Sequence, residues 1–142
     1  MTALTTQLGA LAFFATVLMA TDAQAQVAKA SSPAKSPPPY LVDIAWDAAG
    51  QFTVNKSIAA GKFIEVCGKL PAHAKVRWQF ETSGATDFNI HYHVGKDVVY
   101  PNQQKQVTSA QDELLTTRDE DYCWMWTNKG AAATTLLVRL SR

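Results

Sequence analysis

Two histidines separated by one residue, His91 and His93, are the side chains in this sequence with the clearest capacity for chemistry. In a β-strand, residues i and i+2 point to the same face and lie roughly 7 Å apart, so both imidazoles could contact one metal ion. Asp87 and Asn89 would share this face, and His73, in a predicted turn, is a further candidate ligand. Zinc prefers about four tetrahedral ligands, whereas Cu²⁺ prefers a square-planar set of nitrogen and oxygen ligands. The pattern predicts a copper or zinc site on His91 and His93, with His73 as an additional candidate.

The same pattern has a second interpretation, in which both histidines lie on a solvated outer face of the strand. They alternate with four apolar residues that a sheet would bury, namely Phe88, Ile90, Tyr92 and Val94. The alternation then explains the histidines without a ligand. Cys123 and Met125 do not indicate a blue-copper centre, because that centre needs two histidines beside the cysteine and no histidine follows Cys123.

Catalytic and nucleic-acid-binding functions have little support in the sequence. Ser83-Gly84 is not part of a Gly-x-Ser-x-Gly motif, and the carboxylates at 112–113 and 119–121 lie among polar residues typical of a solvated loop. The formal net charge is +1 and the basic residues are scattered, whereas phosphate binding needs them clustered. We therefore expect a protein that is not an enzyme and does not bind nucleic acid.

Cys67 and Cys123 are the two cysteines of the chain. In an oxidising compartment an isolated pair usually forms a disulfide. The alternatives, a thiolate metal site or a redox pair, favour the close C-x-x-C spacing that is lacking here. The sequence predicts a structural disulfide that stabilises the fold by roughly 4 kcal/mol through closure of a long loop.

The amino-terminal part of the chain is typical of an exported protein. Residues 8–20 form an uncharged apolar run that is shorter than the roughly 20 residues of a transmembrane helix, and Ala23-Gln24-Ala25 follows as a signal-peptidase site. We expect a signal peptide at residues 1–25, cleaved near Ala25, and a mature chain in the periplasm or outside the cell. Residues 26–39, rich in Pro, Ala and Ser, predict an extended tether. No later apolar run approaches membrane-spanning length, so we expect no membrane span in the mature chain.

From Tyr40 onward the apolar residues recur with a period of two. Short alternating runs are separated by turn residues such as Ser83-Gly84 and Asn128-Lys129-Gly130, and the pattern is indistinct between residues 101 and 117. Residues 40–142 are therefore predicted to form an all-β domain, an antiparallel β-sandwich of seven or eight strands. Five aromatic residues are predicted to fill the space between its sheets: Trp78, Phe88, Tyr92, Trp124 and Trp126.

Three segments carry a resemblance to a known family. They are E-V-C-G at 65–68, D-F-N-I-H-Y-H-V-G-K-D-V-V-Y at 87–100 and D-Y-C-W-M-W-T-N at 121–128. Together they resemble the GOLD (Golgi dynamics) domain, the lumenal β-sandwich of eukaryotic cargo receptors. The resemblance implies a jelly-roll-like sandwich, a Cys67–Cys123 bridge and a role in protein–protein contacts. The signal peptide and the proline-rich tether are typical of a bacterial exported relative, so we do not transfer cargo-receptor activity to this chain.

Two functional hypotheses follow. The first is an exported, non-catalytic module without a cofactor that recognises another protein at the cell envelope through a sheet face or an edge strand. The alternative is a periplasmic copper- or zinc-binding protein that uses His91 and His93.

Overall fold

The computed structural model describes residues 40–142, and the regular secondary structure of this part of the chain consists of strands. The predicted signal peptide and tether lie outside the described residues. No helix within the described range is long and apolar enough to cross a membrane. The strands are β1 (Leu41–Asp43), β2 (Gln51–Ile58), β3 (Phe63–Leu70), β4 (Lys75–Val94), β5 (Asp97–Leu115), β6 (Glu120–Thr127) and β7 (Thr134–Ser141).

The seven strands form one curled sheet in the order β1-β3-β6-β4-β7-β2, with β5 paired along β4. The first half of β4 pairs with β7 over residues 77–82, and its second half pairs with β6 over residues 87–91. The long β4–β5 hairpin therefore belongs to both halves of the sheet, which curl to face each other. The predicted all-β fold class with one disulfide is confirmed. One pairing departs from the antiparallel prediction, because β1 runs parallel to β3.

The sequence predicted a turn at Ser83-Gly84, in the middle of β4. That turn prediction is wrong, because the strand continues through both residues and only shifts its register against β5 between Glu81 and Thr86. Thr134 of β7 explains the continuity: its Oγ1 accepts a hydrogen bond from the Gly84 N–H at 2.8 Å and lies 3.0 Å from the Ser83 Oγ. Polar groups that a turn would satisfy locally are satisfied across the sheet instead.

The core fills the space between the two halves with aromatic and branched side chains. The five aromatic residues predicted to be inside are all buried. Rings from the first half of β4 contact rings from the other half of the sheet: Phe80 lies 5.4 Å from Trp126, and Trp78 lies 5.0 Å from Phe88, between ring centroids. Since successive residues of a strand point to opposite faces, the residues that alternate with these buried side chains form the outer faces of the sheet, where the candidate sites lie.

Candidate functional site

The disulfide lies on the outer face of β3, β6 and the second half of β4. Cys67 and Cys123 are directly opposite each other on β3 and β6, and they are 56 residues apart in sequence. His91 of β4 is in turn directly opposite Cys123. The predicted bridge is thus present, and it is compatible with a periplasmic or secreted protein.

Beside the disulfide lies a group of side chains that we call the histidine cluster: Glu65, Asn89, His91 and His93. One carboxylate oxygen of Glu65 and one ring nitrogen of His91 approach within 4.8 Å, together with the Cys123 sulfur. The ring centroids of His91 and His93 are 5.5 Å apart, with the ring planes at 79°. Side chains from β3 and β4, the two strands that flank β6, therefore meet beside the bridge.

Burial and mutual charge shift the titration of this cluster. Desolvation lowers the pKa of His91, and the neighbouring His93 lowers this pKa further. Desolvation raises the pKa of Glu65, against the opposing effect of His93. His91 also has a fixed orientation, because its Nδ1 lies 2.8 Å from the Asn89 Oδ1. Since an amide oxygen can only accept, Nδ1 donates and Nε2 keeps its lone pair. The cluster thus presents a neutral, oriented imidazole beside a half-buried carboxyl group.

The predicted ligands have different surroundings. His91 and His93 share a face as expected, but His91 is only 7% exposed, so the solvated-face interpretation fits His93 and not His91. His73 lies exposed in the β3–β4 loop, in a left-handed conformation with φ 65°, and is not part of the cluster. Asp87 is bonded to Lys129 instead. Metal binding by His91 and His93 therefore stays a prediction.

Glu65 is the cluster residue that the sequence analysis missed. It lies two positions before Cys67 on β3, so period-two alternation puts it on the same face as the disulfide. That signal was present in the sequence. The register that brings His91 to Cys123 was not, because no local pattern specifies which strands pair.

A second feature, which we call the hairpin patch, lies next to the histidine cluster at the start of β5. It consists of Val98, Val99 and Tyr100, which are 38%, 38% and 48% exposed. Val98 is opposite His93 in the β4–β5 ladder, and the Tyr100 ring centroid lies 6.0 Å from that of His91. Within the described part of the chain, β5 pairs with β4 alone, so the patch lies on a free sheet edge.

A polar groove of about 680 Å³ lies on the outer face of the other half of the sheet. Its walls come from β2, β4, β5 and β7 and include Arg77, Gln79, Gln111, Glu113 and Arg139. Arg77 is 3.9 Å from Glu113, an exposed ion pair of little energetic weight. Small-molecule sites of this size are mostly apolar, and this lining is polar. Nothing in the sequence pattern singled out this groove.

Comparison with known proteins identifies the fold. No family model matches the chain, and no curated protein sequence matches it. Among solved structures, similar folds include PliG from Salmonella Typhimurium, a periplasmic inhibitor of g-type lysozyme, with a TM-score of 0.53 at 10% identity, covering 73% of this chain and 98% of that one. The mitogen of Yersinia pseudotuberculosis aligns with a TM-score of 0.51 at 9% identity, over 64% of this chain and 84% of the mitogen.

The pre-peptidase C-terminal domain of a Bacillus anthracis collagenase aligns with a TM-score of 0.50 at 9% identity, over 75% of this chain and all of the domain. At such identities the three likenesses establish the fold alone. The GOLD resemblance is not tested by them and stays a prediction.

Proposed function

We propose that this chain is an exported, non-catalytic module that recognises another protein at the cell envelope through the hairpin patch. The observation that carries the proposal is the run of three exposed apolar residues, Val98, Val99 and Tyr100, on an edge strand. The exported location is supported by the predicted signal peptide and by the disulfide, which persists in oxidising compartments.

Exposed apolar residues on a free edge need a physical explanation, because such an edge invites pairing with other chains. Proteins usually protect edges with charges, prolines and bulges. The rest of β5 has these devices: it contains Pro101 and Lys105, and Gln106 has a positive φ of 54°. The hairpin patch has none, and it ends at Asp97 on one side and Pro101 on the other. A short unprotected segment within a protected edge is expected where a partner binds.

The chemistry of the patch indicates the kind of partner. Tyr is enriched in protein interfaces because its large ring contributes contact area and its hydroxyl keeps a polar partner. Val98 and Val99 add apolar area on both faces of the edge, and the free backbone of β5 offers hydrogen bonds to an extended segment. We therefore expect the partner to present an apolar strand or loop. PliG, a periplasmic inhibitor of g-type lysozyme with a similar fold, supports a role in protein recognition.

Site-specific photocrosslinking tests this function. A photoreactive residue replaces Tyr100 in the full-length precursor, expressed in the native envelope, and the adduct is identified by mass spectrometry. The matched control is the same residue at Leu115, which is 54% exposed on the same strand at its other end. We expect a discrete adduct at position 100 that is absent at position 115.

The purified partner then provides a quantitative test. The double variant V98S/Y100S should weaken binding by about 100-fold, since loss of an interface aromatic residue and its neighbour costs about 2–4 kcal/mol. The control L115S removes an exposed apolar side chain outside the patch and should leave the affinity unchanged. Equal affinities for all three proteins, or equal crosslinking at both positions, would refute the assignment.

A further inference from the structure

We infer that the histidine cluster is a binding site for one divalent transition-metal ion, Zn²⁺ or Cu²⁺, with His91, His93 and Glu65 as protein ligands. This site goes beyond protein recognition by the hairpin patch and does not depend on it. Its ligand chemistry, two imidazoles and one carboxylate, suits both ions.

The separation of the two imidazoles matches one shared ion. With metal–nitrogen bonds of about 2.0–2.1 Å, two imidazoles on a tetrahedral centre have ring centroids roughly 5 Å apart. The centroids of His91 and His93 are 5.5 Å apart. An ordinary i, i+2 pair on a strand has side chains farther apart, at roughly 7 Å. The nitrogens of His93 are not part of the group of ligand atoms within 4.8 Å, which consists of Glu65, His91 and the Cys123 sulfur. The exposed ring of His93 therefore has to turn toward His91 for both imidazoles to bind the same ion.

The orientation of His91 is that of a prepared ligand. Metal-binding histidines almost always donate their second ring N–H to a carboxylate or carbonyl oxygen, which fixes the tautomer and aims the other nitrogen at the metal. His91 has this arrangement with Asn89, at 2.8 Å. Because Nδ1 carries the hydrogen, Nε2 is free to coordinate. Asn89 is thus a positioning residue in the outer shell of the site.

Glu65 supplies the third ligand. Its side chain is partly buried, and within residues 40–142 its carboxylate forms neither a salt bridge nor a hydrogen bond. This carboxylate is therefore not already engaged by a hydrogen-bond donor and can bind a cation. A carboxylate oxygen lies within 4.8 Å of a His91 nitrogen, and rotation of the flexible Glu side chain can close this distance to the roughly 3.3 Å expected around one tetrahedral ion.

The Cys123 sulfur lies equally close but is not a ligand, because a disulfide sulfur has no thiolate charge. Two imidazoles and one carboxylate leave a fourth position open. An open position in a three-ligand site accepts water or a group from a partner.

Titration calorimetry of the mature, oxidised chain with Zn²⁺ and separately with Cu²⁺ tests the site. We expect one ion of either kind per chain. H93A and E65Q should each weaken binding at least tenfold, since each removes a ligand. N89A should weaken it about 10–100-fold, the usual effect of losing an outer-shell partner. The matched control is H73N, which removes the histidine outside the cluster and keeps a residue that tolerates positive φ.

Electron paramagnetic resonance of the Cu²⁺ form provides a direct readout. Hyperfine coupling to two imidazole nitrogens should fall to one in H93A and persist in H73N. Circular dichroism confirms that each variant is folded; H93A and E65Q change partly exposed side chains, so the test does not depend on a His91 variant. Absence of a stoichiometric ion, or equal loss of binding in H73N and H93A, would overturn the site. The variant V98S should retain full metal affinity, which separates this result from a failure of the protein-binding function.

Discussion

Removal of the Cys67–Cys123 bridge should take away a large part of the stability of the domain. The two cysteines are 56 residues apart, so the bridge closes a long loop that includes β4 and β5. On the chain-entropy model a loop of this size contributes roughly 4 kcal/mol, by restricting the unfolded chain. A domain of about 100 residues has a total stability of about 5–15 kcal/mol. The variant C67A/C123A should therefore fold with a much smaller margin.

The position of the bridge makes this estimate testable. Both cysteines lie on the outer face and are only partly buried, so replacement by alanine leaves no large cavity in the core. The double variant also avoids an unpaired thiol. The folded states of the two proteins should thus be nearly the same, and the difference should arise in the unfolded state.

Urea unfolding measured by the fluorescence of the buried Trp124 and Trp126 is the assay. With a slope of about 1–2 kcal/mol per molar urea, a loss of roughly 4 kcal/mol lowers the midpoint by about 2–4 M. Wild-type protein in reductant should unfold at a similar midpoint. A midpoint change equivalent to less than about 1 kcal/mol would refute the entropic reasoning. The β3–β6 ladder would then hold these strands without help from the bridge.

Three further predictions concern buried polar contacts and surface charge. Asn128→Ala should lower the free energy of unfolding in urea by about 2–3 kcal/mol. The side-chain amide of Asn128, which is 2% exposed, forms hydrogen bonds with three backbone groups at the end of β2 and in the β6–β7 turn. A loss below about 0.5 kcal/mol would contradict this role. Thr116→Val should cost about 1–3 kcal/mol, since its hydroxyl ties the β3–β4 loop to the end of β5, while Thr117→Val at an exposed position should be neutral. Hydrogen bonding to Lys129 lowers the pKa of Asp87, so its contribution is present above the unfolded pKa of about 4 and is lost as the pH falls through the folded value. Asp87→Asn should therefore cost about 0.5 kcal/mol at pH 7 and nothing at about pH 2, and an equal cost at both values would exclude the ion pair as its origin.

Strands with one buried face were predictable from the sequence, and strands without one were not. β6 and β7 show the predicted period of two, because the pleat turns successive side chains alternately toward the core and away from it. Most of β5 is exposed on both faces, so its sequence has no period. The pattern was indistinct between residues 101 and 117 for this reason. An edge strand recruited by its neighbour has little signal of its own.

The error at Ser83-Gly84 has a different origin. Ser and Gly are typical turn residues, and a local interpretation assigns them to a turn. The hydroxyl of Thr134, about 50 residues away, accepts a hydrogen bond from the Gly84 N–H and lies within hydrogen-bond distance of the Ser83 hydroxyl. The turn propensity of Ser and Gly therefore does not decide the structure here, because a tertiary contact that forms only in the folded chain stabilises the strand.

The candidate site illustrates how far one long-range contact can be inferred. The cysteine pair is such a contact, and it was predicted from residue type alone. Once β3 and β6 are joined at Cys67 and Cys123, alternation places Glu65 on the face of the bridge. The position of His91 next to Cys123 depends on the pairing of β6 with β4, and no disulfide in the sequence indicates that pairing. The burial of His91 follows from that pairing, because the disulfide, Glu65 and Tyr100 surround its ring. The burial and orientation of His91 are therefore properties of the sheet order, which the residue pattern of a single strand does not contain.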